Sequence, residues 1–224
     1  MRFLRQTAAV AAKDLRIELR GRHGMAAALP FAGTLLVSMG LALGPGRSLL
    51  EAVAPALLWI AVLFAAVLAS RQAYLIEAED GVLEGVVLSP ADRGAIFLGK
   101  AAAIAAGLAV LEANVLVAVV LLFDLSLGAS PAVLVGGFAL GTVGLAAVGA
   151  LFGAVAASAA SRESILPLLV LPLVTPVLLA GVRTTELAIS GRAAEAGSWL
   201  GLLVAFDCVM IAIGVLVIGQ VLEE

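Results

Sequence analysis

The chain has a single cysteine, Cys208, a single histidine, His23, and a single tyrosine, Tyr74, and only 13 per cent of its 224 residues are charged. One cysteine cannot close an intrachain disulfide, and one histidine supplies neither a metal cluster nor a base for a nucleophile elsewhere in a bilayer. The expectation is a chain that is no enzyme by itself, with no catalytic and no metal-ligating residues. The scarcity of charge leaves too little polar surface for a soluble domain. Hydrophobic residues make up 63 per cent instead. That composition belongs to an all-α integral membrane protein built as one membrane domain.

Apolar runs of spanning length occur at 25–43, 52–70, 101–123, 132–157, 165–182 and 200–222, each near the ~20 residues a bilayer requires. Six spans return the chain to its starting side. With the N-terminus in the cytoplasm, the cytoplasmic segments hold ten Lys and Arg and the outer loops three. The positive-inside rule selects that orientation, with both termini cytoplasmic.

Ahead of the spans, residues 1–24 form an amphipathic segment. As a helix it aligns Leu4, Ala8, Ala11, Ala12, Leu15 and Leu19 in an apolar stripe, with Arg2, Arg5, Lys13, Arg16 and Arg20 along one flank. This suits an interfacial helix in contact with membrane lipid, its arginines among anionic headgroups, rather than a nucleic-acid arm. Basic residues ahead of an apolar run also suggest a signal peptide. The run reaches 19 residues without a clear small-x-small exit, so the segment is expected to be retained.

The only long polar interruption in the first half is the cytoplasmic loop 71–100, in which Glu77 to Lys100 reads as a docking element. Val82, Leu83, Val86 and Val87 fall within about 140° of one another at about 100° per residue, with Glu77, Asp80 and Glu84 opposite. Glu79 falls inside the apolar arc, which requires either a helix break at Gly81 or a basic group on a partner. Next, Ser89-Pro90-Ala91-Asp92 offers a capping hydroxyl, a proline at the first helical position and an acid at the third, so a helix is predicted to restart at Pro90. A surface helix, a capped restart and a long helix entering lipid compose a lever. Gly94 to Lys100 has Walker A spacing, but Ala101 stands where a magnesium-binding Ser or Thr is required and no strand precedes it. Nucleotide binding is not expected there.

Inside the spans, Pro55, placed in a first turn, and Trp59 read as structural. Glu112, with Asn114 close by, and Asp207 beside Cys208 are intramembrane acids, each either functional or a carboxyl bonded to a neighbouring helix. Gly137, Gly141, Gly149, Gly153, Ala157 and Ser161 recur at four-residue spacing with Leu145 as interruption, which supports close helix packing. Pro167, Pro172 and Pro176 predict that the fifth span is kinked or unwound. Arg183 to Ser198 is expected to be an outer loop, with Thr184 to Ser190 as a short surface helix.

Four stretches together resemble the haem exporter protein B family (CcmB): Asp14-Leu-Arg-Ile-Glu-Leu-Arg20; Gly44-Pro45 with Ala54-Pro55-Ala-Leu-Leu-Trp59; Glu79-Asp80-Gly81-Val-Leu-Glu84 through Ser89-Pro90; and Leu166-Pro-Leu-Leu-Val-Leu-Pro-Leu-Val-Thr-Pro176. The resemblance implies a six-span, ABC-2 type permease-like subunit of the bacterial inner membrane. Its coupling helix, Glu79 to Val87, would dock on a separate ATPase that binds ATP. Two permease copies, further cytochrome c maturation subunits and a periplasmic haem chaperone are the implied partners. Haem would be the cargo, or ATP would drive release of the haem-loaded chaperone. The chain itself is expected to bind no cofactor, since an axial haem ligand within the membrane would have to come from Met39, Cys208 or Met210. Two other readings stay open: an ABC-2 type permease for a lipid or drug, and an ion-coupled carrier using Glu112 and Asp207.

Overall fold

The computed structural model describes residues 2–21, 23–44, 46–79, 92–127, 130–158 and 166–221. Seven α-helices form among them: α1 Arg2–Gly21, α2 His23–Leu43, α3 Arg47–Glu79, α4 Arg93–Phe123, α5 Pro131–Ser158, α6 Leu166–Ile189 and α7 Gly197–Val221, with a 3-10 turn at Ala193–Glu195. There is no strand among the described residues. Helices α3 to α7 each contain a stretch long and apolar enough to cross a membrane, and α2 contributes a shorter apolar stretch, Ala28–Leu43. Where six full spans were expected, five meet that length among the described residues.

Several boundaries differ from the sequence reading. Helix α3 extends through residues expected in the cytoplasmic loop and ends at Glu79. Nothing in Arg71-Gln-Ala-Tyr-Leu-Ile-Glu-Ala-Glu79 breaks a helix, and such residues propagate one into water as readily as in lipid. Because α3 starts at Arg47, Pro55 lies two turns inside it and not in the first turn.

Helix α4 begins at Arg93 rather than Pro90. Asp92 is extended (φ −65°, ψ 128°), and its side chain accepts from the Gly94 and Ala95 N–H groups at 2.9 and 3.3 Å. A carboxylate that caps two free amides fixes the start there. Ser89 and Pro90 lie outside the described residues, as do Asp80, Gly81, Val82, Leu83, Glu84, Val86 and Val87.

The expected outer loop is largely helix. Helix α6 continues to Ile189, so Thr184 to Ile189 form its last turns, with Thr184 and Thr185 buried. Gly191 at φ +72° then ends it, and the Arg192 N–H returns to the Leu187 carbonyl at 2.9 Å. Only glycine takes that left-handed conformation without strain. Pro167 is the second residue of α6, while Pro172 and Pro176 lie inside it and the chain remains helical throughout. The unwound alternative therefore does not describe this span.

Helix α5 packs closely on four others, touching α3, α4, α6 and α7. Its glycines explain why. A Cβ on Gly137 would lie 2.7 Å from Thr184 Cγ2 of α6, and one on Gly141 would fall inside the Trp59 ring of α3. The glycine ladder thus admits other helices of the same chain. Trp59 is fully buried between Gly141 and Gly181, stacks on Phe138 with centroids 5.6 Å apart, and donates its indole N–H to Thr185 Oγ1 at 3.0 Å. A large ring with one satisfied polar edge locks α3, α5 and α6 together.

At the opposite end from Glu79, Arg47 closes a corner between α3 and α4. Its guanidinium meets Glu51 at 2.9 Å, and it reaches the Asp124 carboxylate at 3.0 Å and carbonyl at 3.2 Å. Asp124 itself is left-handed (φ 51°) at the end of α4.

Candidate functional site

Helix α1 presents three faces. Phe3, Thr7, Val10 and Asp14 share one, at the spacing of a single helical stripe. This face lies on the first turns of α4. The Asp92 N–H donates to Gln6 Oε1 at 3.4 Å, and a Cβ on Gly94 would lie 3.7 Å from the Phe3 ring. At Gly99 the approach is closer still: a Cβ would stand 2.6 Å from Val10 Cβ and 2.9 Å from the Thr7 carbonyl. One residue on, Lys100 is 2 per cent exposed, and its Nζ lies 3.3 Å from Asp14 Oδ2. The other carboxylate oxygen of Asp14 meets Lys13 Nζ at 3.0 Å. A lysine is so deeply buried only when paired, because the isolated charge would lose its hydration without return.

The second face, roughly a third of a turn away, carries Leu4, Ala8 and Ala12, all exposed. The third bears the exposed Arg2, Arg5 and Arg16. The predicted apolar stripe is therefore separate from the packing face. The Walker-like run Gly94 to Lys100 also has its explanation. Its first glycine seats α7, where a Cβ would lie 2.9 Å from Val215, and its second glycine and lysine seat α1.

The two acids expected at membrane depth, Glu112 and Asp207, are both buried at 5 per cent exposure. Thr142 Oγ1 of α5 lies 2.6 Å from Glu112 Oε2 and 2.7 Å from the Phe138 carbonyl. A hydroxyl has one proton to give, and a carbonyl can only accept. Both contacts are hydrogen bonds when the Glu112 carboxyl donates to Thr142 and Thr142 donates to Phe138. Asp207 of α7 faces Gly144, where a Cβ would lie 2.7 Å from Oδ1, and neither of its oxygens has a hydrogen-bond partner among the described residues. Thr142 and Gly144 point about 200° apart around α5. The two acids therefore flank α5 from different sides and do not share one site. Asn114, on the exposed side of α4, bonds its own helix at Val110 O, 2.7 Å away.

The three sulfur side chains considered for haem do not converge. Met210 is turned into the core, whereas Met39 and Cys208 face outward. Among the described residues, no group of three or more His, Cys, Asp or Glu could hold a metal ion. On the loop after α6, the Arg192 guanidinium grips Glu195 at 2.6 and 2.8 Å and holds its carboxyl below the usual 4.5.

Asp14, Gly99, Lys100 and Thr142 were not legible as site residues in the sequence. The face Phe3, Thr7, Val10, Asp14 was the available signal, since its spacing marks a second stripe that the stronger leucine and alanine stripe conceals.

A family model described as CcmB protein matches residues 5–224. The chain is similar to the protein named heme exporter protein B of Bradyrhizobium diazoefficiens, with 32 per cent identity over 204 residues covering 90 per cent of each chain. It is also similar to heme exporter protein B of Pseudomonas aeruginosa, with 31 per cent identity over 182 residues and 80 per cent of each chain covered. The protein of the same name in Rhodobacter capsulatus is 29 per cent identical over 191 residues, 84 per cent of this chain and 85 per cent of the relative.

Proposed function

The chain belongs to the CcmB protein family, and from that premise we propose that it is the membrane permease subunit of an ATP-driven haem-export complex in cytochrome c maturation. The observation that carries the reading is the family match from residue 5 to residue 224. The chain is a transport subunit and not an enzyme; a separate ATPase binds and hydrolyses ATP. Glu79 to Val87 form the coupling helix that meets this ATPase. The push then passes through Ser89 and Pro90 into α4 and the bundle.

Helix lengths support the lever. Helices α3 and α4 have 33 and 31 residues, about 50 and 46 Å at 1.5 Å per residue, against a hydrocarbon core of about 30 Å. Both overreach the bilayer, and residues 80–91 join them on the side bearing most of the Lys and Arg. In this arrangement the permease has six spans of ABC-2 type, counting α2. It lies in the bacterial inner membrane with both termini in the cytoplasm, works as two copies, and serves a periplasmic haem chaperone.

Haem is the cargo, or its loaded chaperone is what ATP releases. The scattered Met39, Cys208 and Met210 favour haem ligands on partner chains. Pro167, Pro172 and Pro176 mark the span most able to bend, because each removes a helical donor.

The test is a haem stain of membrane and periplasmic fractions from a strain lacking the gene, complemented by the wild-type chain or by Leu83→Asp. Holo-cytochromes c should vanish on deletion and return with wild type. With Leu83→Asp they should stay absent while the variant inserts but no longer co-purifies with the ATPase. Holo-cytochromes c that persist in the deletion strain would remove haem from the reading. Unchanged co-purification with Leu83→Asp would remove the docking role.

A further inference from the structure

Among the described residues, helix α1 is attached to the bundle mainly through α4, with a small contact to α2. Apolar contacts hold two helices together but do not fix how far one slides along the other, because they are non-directional. At the α1–α4 seam, register is fixed by two directional features. Gly99 lets the Thr7 carbonyl and Val10 come within van der Waals contact of the α4 backbone. Lys100, buried at 2 per cent exposure, then reaches the Asp14 carboxylate across the seam. A pair of opposite charges across the seam, one of them buried, is a register device, because sliding by one residue would draw Lys100 out of reach of the Asp14 carboxylate. Meanwhile Leu4, Ala8, Ala12, Arg2, Arg5 and Arg16 remain turned outward.

We propose that the Asp14–Lys100 ion pair is the latch that joins α1 to the first turns of α4 as one rigid cytoplasmic element, so that a displacement entering at Asp92 moves the amphipathic helix and the membrane helix together. The inference rests on the ATP-driven permease reading, and Asp14 and Lys100 act in it as positioning residues. They touch neither cargo nor nucleotide. The Gln6 contact to the Asp92 N–H puts α1 beside the entry point of the push. Without the latch, the coupling segment could still hold the ATPase while α1 slips on α4 and part of the stroke is lost.

The experiment uses the complex of this chain with its ATPase, in a Cys208→Ser background, with spin labels at Ala9→Cys and Ala102→Cys, both exposed positions. The distance between them should be a single narrow population, unchanged between the ADP-bound and vanadate-trapped states. In Lys100→Met it should broaden. That variant should still co-purify with the ATPase and hydrolyse ATP, while holo-cytochrome c formed per ATP falls about tenfold, the scale of a typical coupling energy. The exchanged pair Asp14→Lys with Lys100→Asp should recover most of the lost yield and the narrow distance.

A wild-type α1–α4 distance that shifts between nucleotide states would overturn the latch. So would a Lys100→Met variant with a narrow distance and full yield. Should Lys100→Met fail to accumulate, the wild-type distances and the exchanged pair still decide. If no ATPase co-purifies with wild type, the permease reading fails, and the latch is then judged on whether the labelled chain alone shows the narrow distance that Lys100→Met broadens.

Discussion

Gly141→Ala should destabilise the bundle, although a glycine-to-alanine change inside a helix ordinarily stabilises it. The added methyl would fall inside the Trp59 ring, whose Cζ3 lies 2.6 Å from the ideal Cβ position. The ring cannot retreat. It also rests on Gly181, with Cε2, Cζ2 and Cδ2 between 2.5 and 2.7 Å from the position a Cβ would take there. Its nitrogen is tethered to Thr185 at 3.0 Å. Overpacking of this kind costs about 1–3 kcal/mol, and turning the ring far enough to break its hydrogen bond costs about 1 kcal/mol more. Alanine returns up to about 1 kcal/mol through helix propensity, which leaves a net loss of about 1–3 kcal/mol.

Gly201→Ala is the control. Nothing lies within 4 Å of its Cβ position, so only the propensity gain remains. Unfolding followed by circular dichroism in mixed micelles should separate the two variants by about 2–4 kcal/mol on this reasoning. Combining Gly141→Ala with Trp59→Leu should show a favourable coupling of about 1–3 kcal/mol, since the shorter side chain leaves room for the methyl. Equal stability of Gly141→Ala and Gly201→Ala would refute the wedge.

Two further outcomes are expected. Glu112→Gln keeps a donor for Thr142 Oγ1 at nearly the same reach, so it should retain most of the stability and the holo-cytochrome c yield, whereas Glu112→Ala loses the bond and leaves a void, at about 2–4 kcal/mol; a Gln variant that is fully folded yet inactive would show that the carboxyl does more than bridge α4 to α5. Glu195 should titrate below its ordinary value of 4.5 by carboxyl NMR. Its depressed value means that any stabilisation by the Arg192 pair is present above that ordinary value and is lost as pH falls through the folded one. Arg192→Gln should return the carboxyl towards 4.5, and an unchanged titration would dismiss the pair as its cause.

The sequence by itself determined the class of the protein, the family and most of the spans, because bilayer length and apolar composition are properties of contiguous residues. It also announced Glu112 and Asp207 as acids at membrane depth and the glycine ladder as a packing face. Its errors fell at helix ends. The last turns of α6 read as an outer loop because Thr184 to Ser190 are polar enough for water. In the structure, Thr185 is buried against Trp59, a residue 126 positions away. Helix α3 read as ending at the membrane surface, yet nothing local stops a helix there.

What only the tertiary structure decided is which distant residues meet. Lys100 looked like the end of a failed phosphate loop until Gly99 brought α1 and Asp14 against it. Whether Glu112 and Asp207 meet was open in the sequence, and the rotation between Thr142 and Gly144 puts them on different sides of α5. Periodicity tells which way a side chain points from its own helix, but the partner it finds depends on how the helices cross, and that is fixed by contacts between residues far apart in the chain.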